Sequence, residues 1–487
     1  MLTLAFEKVT NASRTNLMFG RQEIAVSVTE DELDETVIAD VLKIALPVHL
    51  DNVKEIKFLR AYKNGIQDIL VKHKKVRPDI NNIVIENNVW HVVEFKKGYV
   101  FGDPIQYVQR LDANDDELGA LNKYMINNGK TSEDKDLAED FYTFGTAHRI
   151  ILPYWEKNKP FKIKNLKAEN AFSVYSTDVF ATKLMGCYLM AKSDELYEIM
   201  VYTRFGVYTF EWKKTKSNKD SIKLTLLKVE PNPLGRIPII EYKLNKNRLG
   251  LVELIKSMAD SLNKITSADL DDIDQFIQSL LVFINQDITK DEFIDMIEMG
   301  AVMLSDSVGT QLKADLKLLS QKLEHSETKV LYTRIYENML TIAGVPKMSD
   351  KSSGGDTGLA RMAGEGWIMA DDRAKQDELA FKLAEREMLE IALDICKIKS
   401  DSGIKKLEVS DLDIKFTRNK SDNMLVKTQS LVNLKNAKVP PEVAFAVVGL
   451  FSDPNEVVKQ ARAYYGDDFW KDDEIVKEVA EDFGQTE

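Results

Sequence analysis

Apolar positions along this chain keep different periods in different stretches, and each period predicts a different element. After Gly250 the period is helical: Leu251, Leu254, Ile255, Met258, Leu262 and Ile265 form one stripe, and Ile273, Phe276, Ile277, Leu280, Leu281 and Ile284 a second. Together they predict a helix over 250–284. Between 168 and 230 the texture is different. Short β-branched or aromatic runs at 171–175, 184–191, 196–203, 206–212 and 222–230 are separated by turn residues, which predicts an antiparallel β unit. Pro231, Pro233 and Pro238 close that unit, since proline cannot continue a central strand.

Upstream, 1–60 mixes charge runs with short apolar pieces and reads as helix and loop. Ile56, Leu59, Tyr62, Ile66, Ile69 and Leu70 predict a helix over 56–73. The run 83–99 is β-branched and aromatic around Asn87-Asn88, a hairpin or a strand entering a helix. Leu118, Leu121 and Met125 mark a polar helical stretch over 111–144.

Downstream, 285–310 reads as a compact α+β insertion: a helix about 291–299, Gly300, then a strand at 301–304. A further helix ends near Ile342, with Gly344 at its C′ position and Pro346 just beyond, a standard helix stop. Residues 344–358 form a Gly/Ser-rich loop, and 359–399 contain no proline and read as one helix of roughly 60 Å at 1.5 Å per residue. Gly364 and Gly366 predict a kink near its start. Ala380, Leu383, Ala384, Met388, Ile391, Ala392 and Ile395 share its apolar face. A returning strand at 407–418 and short helices at 423–437, 441–451 and 454–465 complete the chain.

Composition narrows the class. At 487 residues the chain exceeds one hydrophobic core and should divide into several units. With 44% hydrophobic and 30% charged residues it lies far from the disordered class. The first residues lack a basic region followed by an apolar run, so no secretory leader is expected, and the longest apolar run, near 444–451, is too short to span a bilayer. Two cysteines, Cys187 and Cys396, make no disulfide framework and read as core residues. A formal net charge of −12 is not that of a chain built to grip nucleic acid, although one that lets a polyanion slide past would also be acidic.

Catalytic signatures are sparse. Pro78-Asp79 followed by Glu94-Phe95-Lys96 has the spacing of a PD-(D/E)xK nuclease, in which Asp79 and Glu94 would hold Mg²⁺ and Lys96 would activate water. Glu94 and Lys96 would then have to project from one side of a strand. Asp269, Asp271, Asp272 and Asp274 crowd one and a half turns, but without a calcium-loop pattern or a histidine partner they read as a solvated or subunit-facing face. The Gly-rich loop lacks the P-loop pattern, the five histidines never pair at metal-ligand spacing, and no nucleophile elbow appears. No cofactor is expected.

The segment from Pro233 to Tyr242, followed by the long helix ending Phe276-Ile277-Gln278-Ser279-Leu280-Leu281-Val282, resembles the portal proteins of tailed bacteriophages, of the siphovirus type that infects Bacillus and related hosts. Further resemblances are Glu298-Met299-Gly300-Ala301-Val302-Met303-Leu304, then Ile342-Ala343-Gly344-Val345-Pro346-Lys347-Met348-Ser349-Asp350, and Ile414-Lys415-Phe416-Thr417-Arg418-Asn419. An N-terminal echo peaks at Gly98-Tyr99-Val100-Phe101-Gly102-Asp103-Pro104-Ile105. The order and spacing of these patterns over about 60–420 carry the resemblance.

It implies a mixed α+β, helix-rich portal fold. The divisions would be a wing at 1–249 with its β unit at 168–230, a first stem helix at 250–284, a clip at 285–323 and a second stem helix at 324–343. A tunnel loop at 344–358, the wing's long helix and return strand at 359–420, and a helical crown at 421–487 would follow. It also implies a non-enzymatic ring, commonly of twelve copies, at one capsid vertex of the virion. Double-stranded DNA would pass through it without sequence preference. The terminase large subunit and later a head-completion or adaptor protein would dock on it, beside the major capsid and scaffolding proteins, and no membrane is involved. Lys347, Asp350, Lys351, Ser352, Ser353 and Asp356 would be the loop residues nearest DNA, and Asp287, Lys290, Asp291, Glu292 and Asp306 the docking residues of the clip. Family members often carry Asn-Phe-Ser-Gly-Asn-Ser-Ser-Gly-Val-Ala where this chain has Lys351 through Ala360, which places an added lysine in the loop. The different-class alternatives are the nuclease and a scaffolding or tail adaptor.

Overall fold

The computed structural model describes residues 20–75, 77–110, 115–156, 159–213, 222–277, 280–284, 289–299, 315–319, 325–347, 366–418, 424–448, 450–451, 454–466 and 469–470. Among them the chain is mixed α+β with helix outweighing strand. Its contacts gather into two compact units, one of 1–17, 58–91 and 252–343, the other of 18–57, 92–251 and 344–487.

The larger unit is built on sheets. β1 (Ile24–Val26) runs parallel to β5 (Ala171–Ser176). From there β6 (Lys183–Ala191), β7 (Leu196–Tyr202), β8 (Gly206–Lys213) and β9 (Leu224–Pro231) follow in antiparallel order, so the β unit appears strand for strand where the turn spacing predicts it. Helix α1 (Glu35–Lys63) lays Ile38, Val41, Leu42, Ala45 and Leu46 onto Val174, Leu184, Cys187, Ile199 and Phe210 of that sheet. Each fully buried aliphatic contributes about 1.5 to 3 kcal/mol, which is why the alternating strands and the helical stripe find each other.

A second sheet is not foreshadowed by the pattern. β3 (Thr146–Glu156) pairs antiparallel with β4 (Lys159–Leu166) on one side and with β10 (Ile239–Lys243) on the other. These strands are masked in the sequence because Thr146, His148, Arg149 and Glu241 are polar yet buried. The prolines at 231–238 do end the first sheet, but the chain then enters this second one. β2 (Gln106–Gln109) pairs with β13 (Leu412–Lys415), so the expected return strand over 407–418 is a four-residue strand preceded by a 3-10 turn at Val409–Asp411. The helical stretch at 111–144 resolves into α3 (Asp115–Asn127) and α4 (Lys130–Phe144).

The run 83–99 is no hairpin; of the alternative, a strand entering a helix, the helix is present as α2 (Asn88–Phe101) and 83–87 form no strand. Val89, Val92, Val93 and Val100 are buried along it, so β-branched residues here serve helical burial, and tertiary packing overrides propensity.

In the smaller unit α5 (Leu251–Ile277) covers the first predicted stripe, but the helix stops there and β11 (Leu280–Ile284) begins. A five-residue apolar run fits either period. Pairing with β12 (Asp315–Leu319), which no pattern predicted, settles it as a strand. α6 (Lys290–Met299) lies where a helix is predicted; the strand expected at 301–304 lies outside the described residues. α7 (His325–Ala343) is the helix that stops at Gly344. The helix expected over 56–73 ends with α1 at Lys63, and a 3-10 turn at Asp68–Val71 follows, leaving Ile66 and Leu70 exposed.

The long helix α8 runs Trp367–Ile398, 32 residues or about 48 Å, against the forty expected. Gly366, with φ +82°, is its N-cap; residues 359–365, Gly364 among them, on which the expected kink also falls, lie outside the described residues. Leu383 is 75% exposed and belongs to no core face; the buried face runs through Phe381, Ala384, Glu385, Met388, Leu389 and Ala392. α9 (Met424–Asn436), α10 (Pro441–Val448) and α11 (Pro454–Tyr465) match the three short helices predicted. Cys187 and Cys396 are buried free thiols, and burial pushes the Cys396 thiol up to about 12. No described helix is long and apolar enough to cross a membrane.

Candidate functional site

The site expected from sequence is the loop ahead of α8, and the structure shows how its two ends are held. Gly344 adopts φ +69°, a left-handed conformation that only glycine takes without strain, and a Cβ there would lie 2.8 Å from Arg373 Cγ on α8. At the other end a Cβ on Gly366 would come within 3.9 Å of Pro346 Cα. The chain therefore leaves at Pro346 and returns at Gly366 through one narrow gate. Lys347, half-buried, stands at that gate. Asp350, Lys351, Ser352, Ser353 and Asp356 lie outside the described residues.

The rod that carries the loop is seated by ions on its own buried face. Asp371, Glu378 and Glu385 recur every seven residues on α8, so they stack on nearly one line. Arg418 reaches Asp371 at 3.1 Å and Glu378 at 3.0 Å. Burial raises the Glu378 carboxyl above its ordinary value, with Arg418 opposing. Beside them, Lys96 Nζ donates to Asp377 at 2.8 Å and Tyr142 OH donates to the same oxygen at 3.2 Å.

Glu385 is fully buried at the centre of the seat. It accepts hydrogen bonds from Tyr107 OH at 2.5 Å and Tyr242 OH at 2.8 Å, and pairs with Lys130 at 2.7 Å and Arg149 at 3.6 Å. Asp134 closes the cluster, taking Lys130 at 2.7 Å and Arg149 at 2.7 Å. The four charges, two positive and two negative, balance. Burial alone would push the Glu385 carboxyl up; the Lys130 and Arg149 charges outweigh it and hold the group below the ordinary carboxylate range. Phe381, one turn away, packs with Phe101, Phe141, Tyr242 and Phe416. The end of α8 is pinned by Arg236 to Glu390 at 2.8 Å and to Asp394 at 2.5 Å.

A second buried cluster ties β3, β5 and β10 together. Glu241 accepts from Thr146 Oγ1 at 2.9 Å, Tyr175 OH at 2.7 Å and Arg248 Nε at 2.6 Å. His148 is buried beside it with neither ring nitrogen hydrogen-bonded within the protein, and burial pushes it down to about 4. His49 Nε2 donates to Glu169 O over 3.0 Å, and burial lowers it to about 3.

The remaining expectations separate. Glu94 and Lys96 lie on helix α2, where residues two apart project to opposite sides, so they cannot form the strand-borne pair a nuclease needs. Lys96 is committed to Asp377, Glu94 to Lys97 at 2.7 Å, and Asp79 to Arg77 at 2.8 Å. The nuclease alternative fails on that geometry. The acidic run on α5 is not a solvated face throughout. Asp271 is buried and accepts from Lys72 Nζ at 2.6 Å and Asn82 N at 2.6 Å, while Asp274 accepts from Asn82 Nδ2 at 2.7 Å. No group of three or more potential metal ligands occurs among the described residues.

On α6, Lys290 and Asp291 are exposed, as docking residues must be. Glu292 is also exposed but has a local job: it accepts from Thr289 N at 2.9 Å and Thr289 Oγ1 at 2.8 Å, capping the helix. Asp287 and Asp306 lie outside the described residues.

Sequence reasoning missed the carboxylates on α8 and their partners. The seven-residue recurrence of Asp371, Glu378 and Glu385 inside an otherwise apolar face was the available signal.

The sequence profile of the family described as "Phage portal protein, SPP1 Gp6-like" matches residues 42–464. Among solved structures, one described as the neck of an empty GTA particle computed with C6 symmetry is 10% identical, with a TM-score of 0.41 over 74% of this chain and 90% of that one. No curated protein matches the chain.

Proposed function

Because the chain belongs to the phage portal proteins of the SPP1 Gp6-like family and is therefore a structural connector subunit, we propose that it closes into a dodecameric ring at one vertex of the virion capsid. Double-stranded DNA is packaged and ejected through the hole. The observation that carries this reading is the family match across 42–464, which reaches into both compact units. The protein works by shape and assembly rather than by catalysis.

In this reading 1–249 and 359–420 are wing, 250–284 and 324–343 stem, 285–323 clip and 421–487 crown. Residues 344–358 are the tunnel loop, and α8 is the beam that fixes where it points. The close approach of Gly366 to Pro346 supports this role, because the chain then leaves and returns beside the beam. Copies of Lys347 and Lys351 around a channel make a basic ring in an acidic wall, a contact with DNA that is weak, salt-sensitive and independent of sequence. The exposed Lys290 and Asp291 of α6 offer the terminase large subunit, and later a head-completion protein, a polar docking face. Major capsid and scaffolding proteins surround the ring during assembly in the host cytoplasm.

The test is the particle itself. Negative-stain images should show a ring with a central hole, and native mass should be about twelve subunits. A chain that stays monomeric at high concentration overturns the reading.

A further inference from the structure

Among the described residues the most exposed large hydrophobics are neighbours: Val179 at 97% and Phe180 at 89%. They form the tip of the turn at 177–182 that joins β5 to β6. The turn is rigid. Asp178 Oδ1 accepts from Phe180 N at 2.8 Å, Asp178 Oδ2 accepts from Thr182 Oγ1 at 3.2 Å, and Ala181 is locked at φ +48°. At the base, Thr182 O accepts from Ser176 N at 2.8 Å and Val26 O from Thr177 N at 3.0 Å. An apolar knob held this way has already lost its conformational freedom before it meets anything, which favours tight docking.

The same unit carries a cleft of about 390 Å³ between β2 and the α3–α4 pair, lined by Pro104, Ile105, Val108, Met125 and Ile126 and by the polar Gln106, Asn122, Thr131 and Asp134, with Lys130 on its floor. That volume lies in the range of sites that enclose small molecules and accommodates one phenyl ring beside one isopropyl group. Ile126, 76% exposed, stands at its rim.

Knob and cleft leave α8 on opposite sides. Lys183, one residue past the knob's turn, is paired to Glu387, whereas Lys130 on the cleft floor is paired to Glu385. Side chains two residues apart on a helix point about 200° apart. A closed ring is held by a heterologous interface, in which one patch of each subunit meets a different patch of the next. A rigid knob and a cleft with an apolar wall on opposite flanks of one rod have that arrangement.

We infer that Val179 and Phe180 of each copy seat in the 104–126 cleft of the neighbouring copy around the ring. The inference rests on the portal reading and goes beyond it by assigning the contact.

The test uses the full chain with two variants, Val179→Ser/Phe180→Ser, which removes the knob, and Ile126→Glu, which puts charge at the cleft rim. All three positions are exposed, so thermal melting of the monomer should be unchanged. Each variant alone should need at least tenfold more protein than wild type for half-assembly, read by native mass spectrometry. At a concentration where each alone is monomeric, mixing them one to one should give a heterodimer and nothing larger, because one intact knob and one intact cleft remain between them. Rings from either variant at wild-type concentration, as when the knob instead meets a capsid protein, overturn the inference, and so does a mixture that stays monomeric. If wild type itself forms no ring, it is the portal reading that has failed.

Discussion

Replacing Glu385 with glutamine tests whether the buried ion cluster is what seats α8. The substitution keeps the volume, but Tyr107 and Tyr242 donate to different carboxylate oxygens and the amide retains only one, so a charge and one tyrosine acceptor are lost together. Lys130 and Arg149 would then share Asp134 alone, leaving one cation buried without a counter-charge among side chains that are at most 5% exposed. Removing one partner of a buried pair costs about 3 to 5 kcal/mol, because the remaining ion stays desolvated. A second change separates charge from shape. Lys130→Met restores one cation to one anion, so the double variant should recover about 1 to 3 kcal/mol of the loss, a coupling that independent sites do not show. Urea unfolding followed by tryptophan fluorescence reads both quantities. If Glu385→Gln costs under about 1 kcal/mol, or if Lys130→Met makes it worse, the cluster does not hold the rod and the argument fails.

Other outcomes follow from the same geometry. His148 sits near 4 in the fold against an ordinary 6.5, so the fold binds fewer protons than the unfolded chain between those values. Its stabilising contribution is complete above pH 6.5 and falls by about 3 kcal/mol as pH drops to 4. Glu241 and Glu385, both held low, lose stability in the same direction; His148→Met should take about 3 kcal/mol out of the pH 4 to 6.5 limb of a stability titration, leaving the share of His49, which is also held low, and the carboxylate limb below it. Gly344→Ala should lower stability by about 1 to 2 kcal/mol in thermal unfolding from its left-handed backbone, and the Arg373 side chain must also shift. Lys347→Ala with Lys351→Ala should weaken DNA retention in filled particles and reduce its salt dependence; unchanged retention at every salt concentration would remove the loop from the list of DNA contacts.

Elements whose burial is periodic were legible in the sequence. The five strands over 171–231 alternate with turns between them, and the three C-terminal helices carry their own proline and cap signals. Where burial is polar, the pattern went silent: β3 and β10 hide behind Thr146, His148, Arg149 and Glu241, of which Thr146 bonds Glu241 and Arg149 pairs with Asp134 from α4. Short apolar runs were ambiguous in period, so β11 read as helix and the run holding α2 stayed open between a hairpin and a strand entering a helix until their neighbours were known. The acidic run on α5 misled for a related reason, since nothing local shows that Lys72 and Asn82 arrive from 199 and 189 residues away to cover Asp271.

The gate is where the two sources of information divide. From sequence alone came a helix stop at Gly344, a Gly/Ser-rich loop and a long rod after it, because backbone conformations that need glycine and an unbroken helical stretch are local properties. Only the tertiary structure decided that Pro346 and Gly366 meet, that the rod begins at Trp367, and that Glu385 rather than Leu383 lies in its buried face. A carboxylate can be inside only when Lys130, Arg149, Tyr107 and Tyr242 are brought to it from distant parts of the chain, and no local pattern encodes that meeting.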